Sequence, residues 1–231
     1  MRLDLEVIAD LITPNSQVLD VGCGDGTLLS YLKNKKNISG KGIEIDNKKV
    51  ASALKKGLSI IQGDADNDLA QYPSNAADYV ILSQTLQATK EPALILEELK
   101  RIAKYCIISV PNFGYWENRL YFAFKGCMPV TQTLSYKWYD TPNIHFCTIK
   151  DFISLCHQLN FVIEKQFFIN ETSLFCKNTK SPIIGNLLSK YGIFLLKRGT
   201  TVKSDTKKQN NIKNLALTRK SNYARNSHSN R

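Results

Sequence analysis

Four residues near the N-terminus have the types and spacing to hold a ligand: Asp20, Gly22, Gly24 and Gly26, alternating with other residues straight after Val18-Leu19. Alternate glycines remove the Cβ atoms that keep a ligand away from a backbone. Where a helix begins at the last glycine, its first N–H groups have no internal partner and face the ligand. Two more acids stand at the ends of later apolar runs: Glu44 closes "ISGKGIE", and Asp64 follows "LSIIQG". Ser83 and Gln84 close a fourth run, "ADYVILSQ". The chemistry is that of a cradle for a polar molecule with its hydrogen bonds anchored at strand ends.

The elements that position these residues follow from periodicity. Leu5, Ile8, Ala9 and Ile12 recur at helical spacing, and Pro14 ends that helix. "QVLDV" (17–21), "ISGKGIEID" (38–46), "LSIIQGDAD" (58–66, a strand with its exit loop), "ADYVILSQ" (77–84) and "CIISVPNF" (106–113) read as strands. Helices are predicted between them: 27–34, 47–57 burying Val50 and Leu54 and closed by a left-handed Gly57, and 91–105 with Pro92 in its first turn and Ile95, Leu99 and Ile102 on its buried stripe. Near-continuous apolar strands alternating with helices predict a doubly wound α/β fold with a mostly parallel sheet. Ligands bind such sheets beyond the carboxyl ends of the strands, where strand order reverses. Further on, 148–160 reads as a helix with Thr148 as N-cap and Asn160 in place of a terminal glycine, and 161–169 and 191–198 as final strands.

The loop Asp20-x-Gly22-x-Gly24-x-Gly26 resembles motif I of the class I S-adenosylmethionine (SAM) methyltransferases, of Rossmann-like fold. A dinucleotide fingerprint spaces its glycines G-x-G-x-x-G, and here the third comes one residue early. The resemblance implies SAM or S-adenosylhomocysteine as the bound cofactor. It places Asp20 near the methionine amino group, with Gly22, Cys23, Gly24 and Gly26 as the cradle. Glu44, with Ile45 beside it, is implied on the ribose hydroxyls, Asp64 and Ala65 at adenine, and Ser83 and Gln84 beside the ligand.

Later stretches narrow the resemblance. "VILSQTLQA" (80–88), "PNFGYWENRL" (111–120), "MPVT" (128–131) and "WYDTPNIHFCTIKDF" (138–152) together look like the methionine-biosynthesis protein family MetW, over about residues 2–198. Ser135 departs from the pattern, standing where proline is expected before "YKWYD". The resemblance implies a protein of methionine synthesis that works with a homoserine O-acyltransferase and supports its activity. Methyl transfer is not an established property of the family. An active SAM-dependent methyltransferase acting on a small molecule is the alternative reading of the same loop.

Methyl transfer asks the protein for in-line positioning and, with weakly acidic nucleophiles, for a base. The Asn/Asp-Pro-Pro-aromatic motif of enzymes that methylate nucleobase amino groups is replaced here by "SQTLQ", and no Pro-Cys nucleophile appears. Tyr139, Asp140 and His145 remain as candidate catalytic residues. Two of them also have a structural reading, Asp140 in a turn before Pro142 and His145 in a lid.

Ten of the 22 aromatic residues fall within 112–150. That segment reads as a lid over a small-molecule pocket, a partner-docking surface rich in interface-type side chains, or a satellite core. Trp116, Leu120 and Phe124 fit one face of a short helix within it. Six cysteines without a CxxC pair argue against a zinc site or a disulfide framework, and no metal is expected. No run approaches a membrane span, and the N-terminus lacks signal-peptide features, which gives the expectation of a cytoplasmic protein. The net charge of +11 is concentrated at the end: residues 199–231 hold five Lys and three Arg against one Asp, which is 8 − 1 = +7. The expected organisation is a domain over 1–198 and a disordered basic tail over 199–231. Nucleic acid is not expected as a partner; the tail alone carries the charge for a nonspecific contact, and a solvated end is the preferred reading.

Overall fold

A computed structural model of the chain describes residues 2–131, 134–170, 174–177 and 182–199. The segment 200–231, most of the expected tail, lies outside the described residues. Helix α1 (Leu3–Leu11) precedes β1 (Gln17–Val21), α2 (Thr27–Lys36), β2 (Ser39–Glu44), α3 (Asn47–Lys55), β3 (Ser59–Gln62) and the one-turn α4 (Ala65–Asp68). Then come β4 (Ala77–Ser83), α5 (Pro92–Ile102), β5 (Ala103–Pro111), α6 (Trp116–Lys125), α7 (Ile149–Gln158), β6 (Phe161–Ile169), β7 (Leu174–Lys177), α8 (Pro182–Leu188) and β8 (Tyr191–Arg198).

The strands form one sheet in the order β3-β2-β1-β4-β5-β8-β6-β7. The first five run parallel. β8 is inserted antiparallel between β5 and β6, and β7 lies antiparallel on β6. The chain winds outward from β1 to β3 and returns to β4 on the other side of β1. The reversal therefore falls between β1 and β4, and their carboxyl ends carry Asp20 and Ser83.

Helices cover both faces. One core cluster joins Ile8 of α1, the following Ile12, Leu29 and Leu32 of α2 and Ala53 of α3 to Val18, Ile81, Ile107, Ile193 and Leu195 of the sheet. Phe194, next in chain to Ile193 and so on the opposite face, packs against Phe152 of α7 with the rings tilted and their centroids 4.7 Å apart. The predicted caps form: Thr148 and Asp151 make a reciprocal capping box on α7, and Asn160 and Gly57 take positive φ.

Several expectations are corrected. Helix α5 stops at Ile102 rather than 105, because β5 enters its ladder with β4 at Ala103. Leu54 is exposed, and α3 buries Val50 and Ala53 instead. The exit of the third strand is not plain loop but the start of α4. Strand β7 and helix α8 have no counterpart in the sequence reading. The face of α6 built from Trp116, Leu120 and Phe124 is helical as expected, yet open to solvent.

Candidate functional site

The glycine loop joins β1 to α2 at the point of strand reversal. Gly22, Gly24 and Gly26 all lie in the left-handed region, with φ of +74°, +59° and +74°. Gly22 has no room for a side chain, whereas Gly24 borders open space. A Cβ on Gly22 would stand 2.5 Å from the hydroxyl oxygen of Thr85. A Cβ on Gly24 would meet nothing within 4 Å, so bare backbone there borders open space.

The loop is clamped to β2. The N–H groups of Gly22 and Cys23 both donate to the Ile43 carbonyl, at 2.8 and 3.1 Å. The Gly24 N–H donates to Glu44 Oε2 at 2.8 Å, and the Asp46 N–H donates to Glu44 Oε1 at 3.0 Å. Glu44 is thus a buried structural clamp. Each of its oxygens keeps acceptor capacity beyond the one bond it holds.

Asp20 is the exception among the polar groups. It is 3% exposed, and no hydrogen bond reaches its carboxyl from the described residues. Burial first, and the Glu44 charge second, push its pKa up to about 7. A buried acid without a donor is costly unless a cation or donor comes to meet it. Cys23 is packed beside Gly42, and burial, then Asp20 and Glu44, push its thiol up to about 12. A thiol so held is not a nucleophile near neutral pH.

Asp64 is half-buried at the N-cap of α4. Its Oδ1 accepts from the Asp66 N–H at 3.0 Å and its Oδ2 from the Asn67 side chain at 2.8 Å. Ala65 is half-buried beside it, and Ile45 is exposed. Ser83 Oγ lies 3.1 Å from Ser109 Oγ, and the Gln84 N–H donates to the Ser109 hydroxyl at 3.0 Å. Gln84 has φ of +51° and sends its side-chain amide to Asp4 Oδ2 at 3.1 Å. All these positions lie at the carboxyl ends of β1, β2, β3 and β4.

Tyr139, Asp140 and His145 do not share their environment. All three are exposed. Tyr139 meets Trp138 edge to face, and His145 Nε2 lies 3.2 Å from the Lys90 carbonyl. Two residues were missed in the sequence reading: Thr85, packed on Gly22, and Gln87, whose carbonyl holds the segment before α7. Both sit inside the "SQTLQ" stretch, which was singled out without roles for them.

Beyond β5, a groove of about 350 Å³ is lined by Phe113, Gly114, Asn118, Arg119, Phe122 and Thr148. A smaller concavity is lined by Met128, Pro129, Tyr136, Trp138 and Phe146 among others. Among the described residues no group of three His, Cys, Asp or Glu is placed to hold a metal, and no helix is long and apolar enough to cross a membrane.

A family model described as methionine biosynthesis protein MetW matches residues 2–196. The chain belongs to the MetW family. A bifunctional methionine biosynthesis protein MetXA/MetW from Rhodopirellula baltica is 33% identical over 177 residues, covering 73% of this chain and 28% of that protein. This chain therefore spans well under half the length of that relative. Among solved structures, a SAM-dependent methyltransferase from Thermotoga maritima, possibly a histamine N-methyltransferase, aligns with a TM-score of 0.61 at 19% identity over 84% of this chain and 87% of that one. The cyclase SpnF aligns with a TM-score of 0.59 at 15% identity, over 85% of this chain and 81% of its own. The chain shares its fold with these two structures. A cyclase among them means that the fold alone does not fix the reaction.

Proposed function

We propose that this MetW-family chain binds SAM or S-adenosylhomocysteine in its glycine loop and supports a homoserine O-acyltransferase through a complex. The observation that carries the partnership is the relative whose name joins MetXA and MetW as two functions of one polypeptide. What supports the ligand is the fit of the residues. Asp20 is a buried acid without a donor, suited to an ammonium. Open space borders Gly24, Glu44 keeps free lone pairs for ribose hydroxyls beside Ile45, and Asp64, Ala65, Ser83 and Gln84 rim the far side.

Bound SAM supplies an electrophilic methyl sulfonium. The chain's own residues orient the ligand; the candidate bases Tyr139, Asp140 and His145 are solvent-exposed side chains, which favours binding and sensing over transfer. The second reading, a methyltransferase for a small molecule, is favoured by the groove at Phe113, Arg119 and Phe122, whose volume suits a small substrate. We assign the work to residues 1–198, in the cytoplasm, with 199–231 dispensable and nucleic acid no part of it.

The test is co-elution of the purified chain with homoserine O-acyltransferase on size exclusion at micromolar concentration. A shared peak supports the complex, and separate peaks with SAM present and absent contradict it.

A further inference from the structure

The loop Gln84–Lys90, which leaves β4, touches three walls of the proposed ligand site at once. Thr85 packs on the glycine loop, its hydroxyl filling the space a Gly22 side chain would need. The Lys90 N–H donates to both carboxylate oxygens of Asp66, at 3.1 and 3.0 Å, two residues beyond Asp64. The Gln84 N–H donates to the carbonyl and the hydroxyl of Ser109 on β5, each at 3.0 Å.

The same loop holds an element outside those walls, the strap 138–147. The Gln87 carbonyl accepts from the N–H groups of both Ile144 and His145, at 2.8 and 3.0 Å. The Lys90 carbonyl faces His145 Nε2. From its other end the strap is tied to β5's exit by the Phe113 N–H donating to the Cys147 carbonyl at 3.0 Å. Trp138, Tyr139, Ile144 and Phe146 are all large apolar side chains left exposed on it. Aromatic surface of this kind is characteristic of the centres of protein interfaces.

Two features of the loop are unusual. Gln84 holds a left-handed conformation that a non-glycine residue rarely adopts. Gln87 is 8% exposed, and its Oε1 has no hydrogen-bond partner among the described residues, while its Nε2 donates to the Gln84 carbonyl at 2.6 Å. Backbone strain persists where surrounding contacts over-determine it and clusters in ligand clamps and switch regions, and a buried unpaired amide oxygen is rare enough to call for an explanation.

We infer that the Gln84–Lys90 loop is a coupling element: a ligand in the glycine loop sets the position of the 138–147 strap, and so the apolar face offered to the homoserine O-acyltransferase of the proposed complex, with Gln87 as the positioning residue. The inference rests on the reading that the glycine loop takes SAM or its product. A ligand seated beside Gly24 and Asp64 restrains Thr85 against Gly22 and Lys90 against Asp66. Those restraints fix the carbonyls of residues 87 and 90, which are the strap's anchors. The Ile144 and His145 amides then open less often. By linkage, a partner that holds the strap tightens the ligand by the same factor.

Amide hydrogen exchange on the full chain, with and without saturating S-adenosylhomocysteine, tests this directly. Exchange at Ile144 and His145 slows about tenfold on binding. The volume-conserving Gln87→Met variant binds the ligand within about threefold of the parent by calorimetry, and loses the slowing. Calorimetric binding with unchanged exchange at 144 and 145 in the parent overturns the coupling and leaves the ligand reading standing. Full slowing in Gln87→Met overturns the role of Gln87. No calorimetric binding at millimolar ligand removes both the inference and the reading beneath it.

Discussion

The glycine loop and the 112–150 segment treat their side chains in opposite ways. In the loop, Glu44 and the N–H groups of Gly22, Cys23 and Gly24 are matched to partners within the chain, and Asp20 alone is left without one. In the segment, Phe124 is 83% and Trp138 72% exposed, although apolar bulk of that size gains most from burial. The first region leaves one buried acid without a donor among the described residues. The second leaves several large apolar side chains on the surface. A small cation and a protein surface are the natural complements, and Gln84–Lys90 lies between the two.

Substitutions that break one region and spare the other sharpen this contrast. Gly24→Val has the largest expected effect. A Cβ there meets no protein atom within 4 Å, so the chain folds at a cost of about 1–2 kcal/mol for a branched residue at φ +59°, but the side chain enters the space of the proposed ligand and SAM affinity falls at least about 100-fold by calorimetry. Binding to acyltransferase without SAM survives in this variant.

Asp20→Asn comes next, with affinity about tenfold weaker through loss of the charge that meets the ligand's ammonium. Its pH behaviour is distinctive. The Asp20 pKa is raised to about 7 from the ordinary 3.8, so between those values the ligand-free native state keeps a proton the unfolded chain has released. Stability of the free protein therefore falls as pH rises through that window, by an amount on the order of a few kcal/mol. Denaturant titrations at pH 4.5 and pH 7 should show the slope in the parent and a flatter one in Asp20→Asn. A ligand cation favours the ionised carboxylate, so parent affinity climbs as pH rises from 5 to 7.

Trp138→Ser acts on the other region. Loss of an exposed ring leaves the melting temperature within a few degrees, while acyltransferase affinity drops by roughly 1–3 kcal/mol, read by calorimetry or surface plasmon resonance. The smallest effects belong to His145→Ala and to truncation after Arg198. Both leave SAM affinity within about twofold: the His145 ring lies against the Lys90 carbonyl rather than the glycine loop, and the proposed ligand site is assigned to residues 1–198.

Much of the first region was legible in the sequence, and little of the second. The loop is local: glycines one residue apart and acids at strand ends state their geometry in their spacing. Glu44's clamp on Gly24 was not legible, since it joins positions 20 residues apart through the pairing of β1 with β2. The insertion of β8 between β5 and β6 is likewise a long-range pairing, invisible to periodicity. Helical spacing put Trp116, Leu120 and Phe124 on one face, but spacing does not say what covers a face. Here no described residue buries it.

One measurement tests the central claim most directly: turnover of homoserine O-acyltransferase alone, with this chain, and with this chain plus SAM. The expected result is that the chain raises turnover and that SAM changes the size of the rise. Turnover unaffected by the chain, with or without SAM, would contradict the proposed complex.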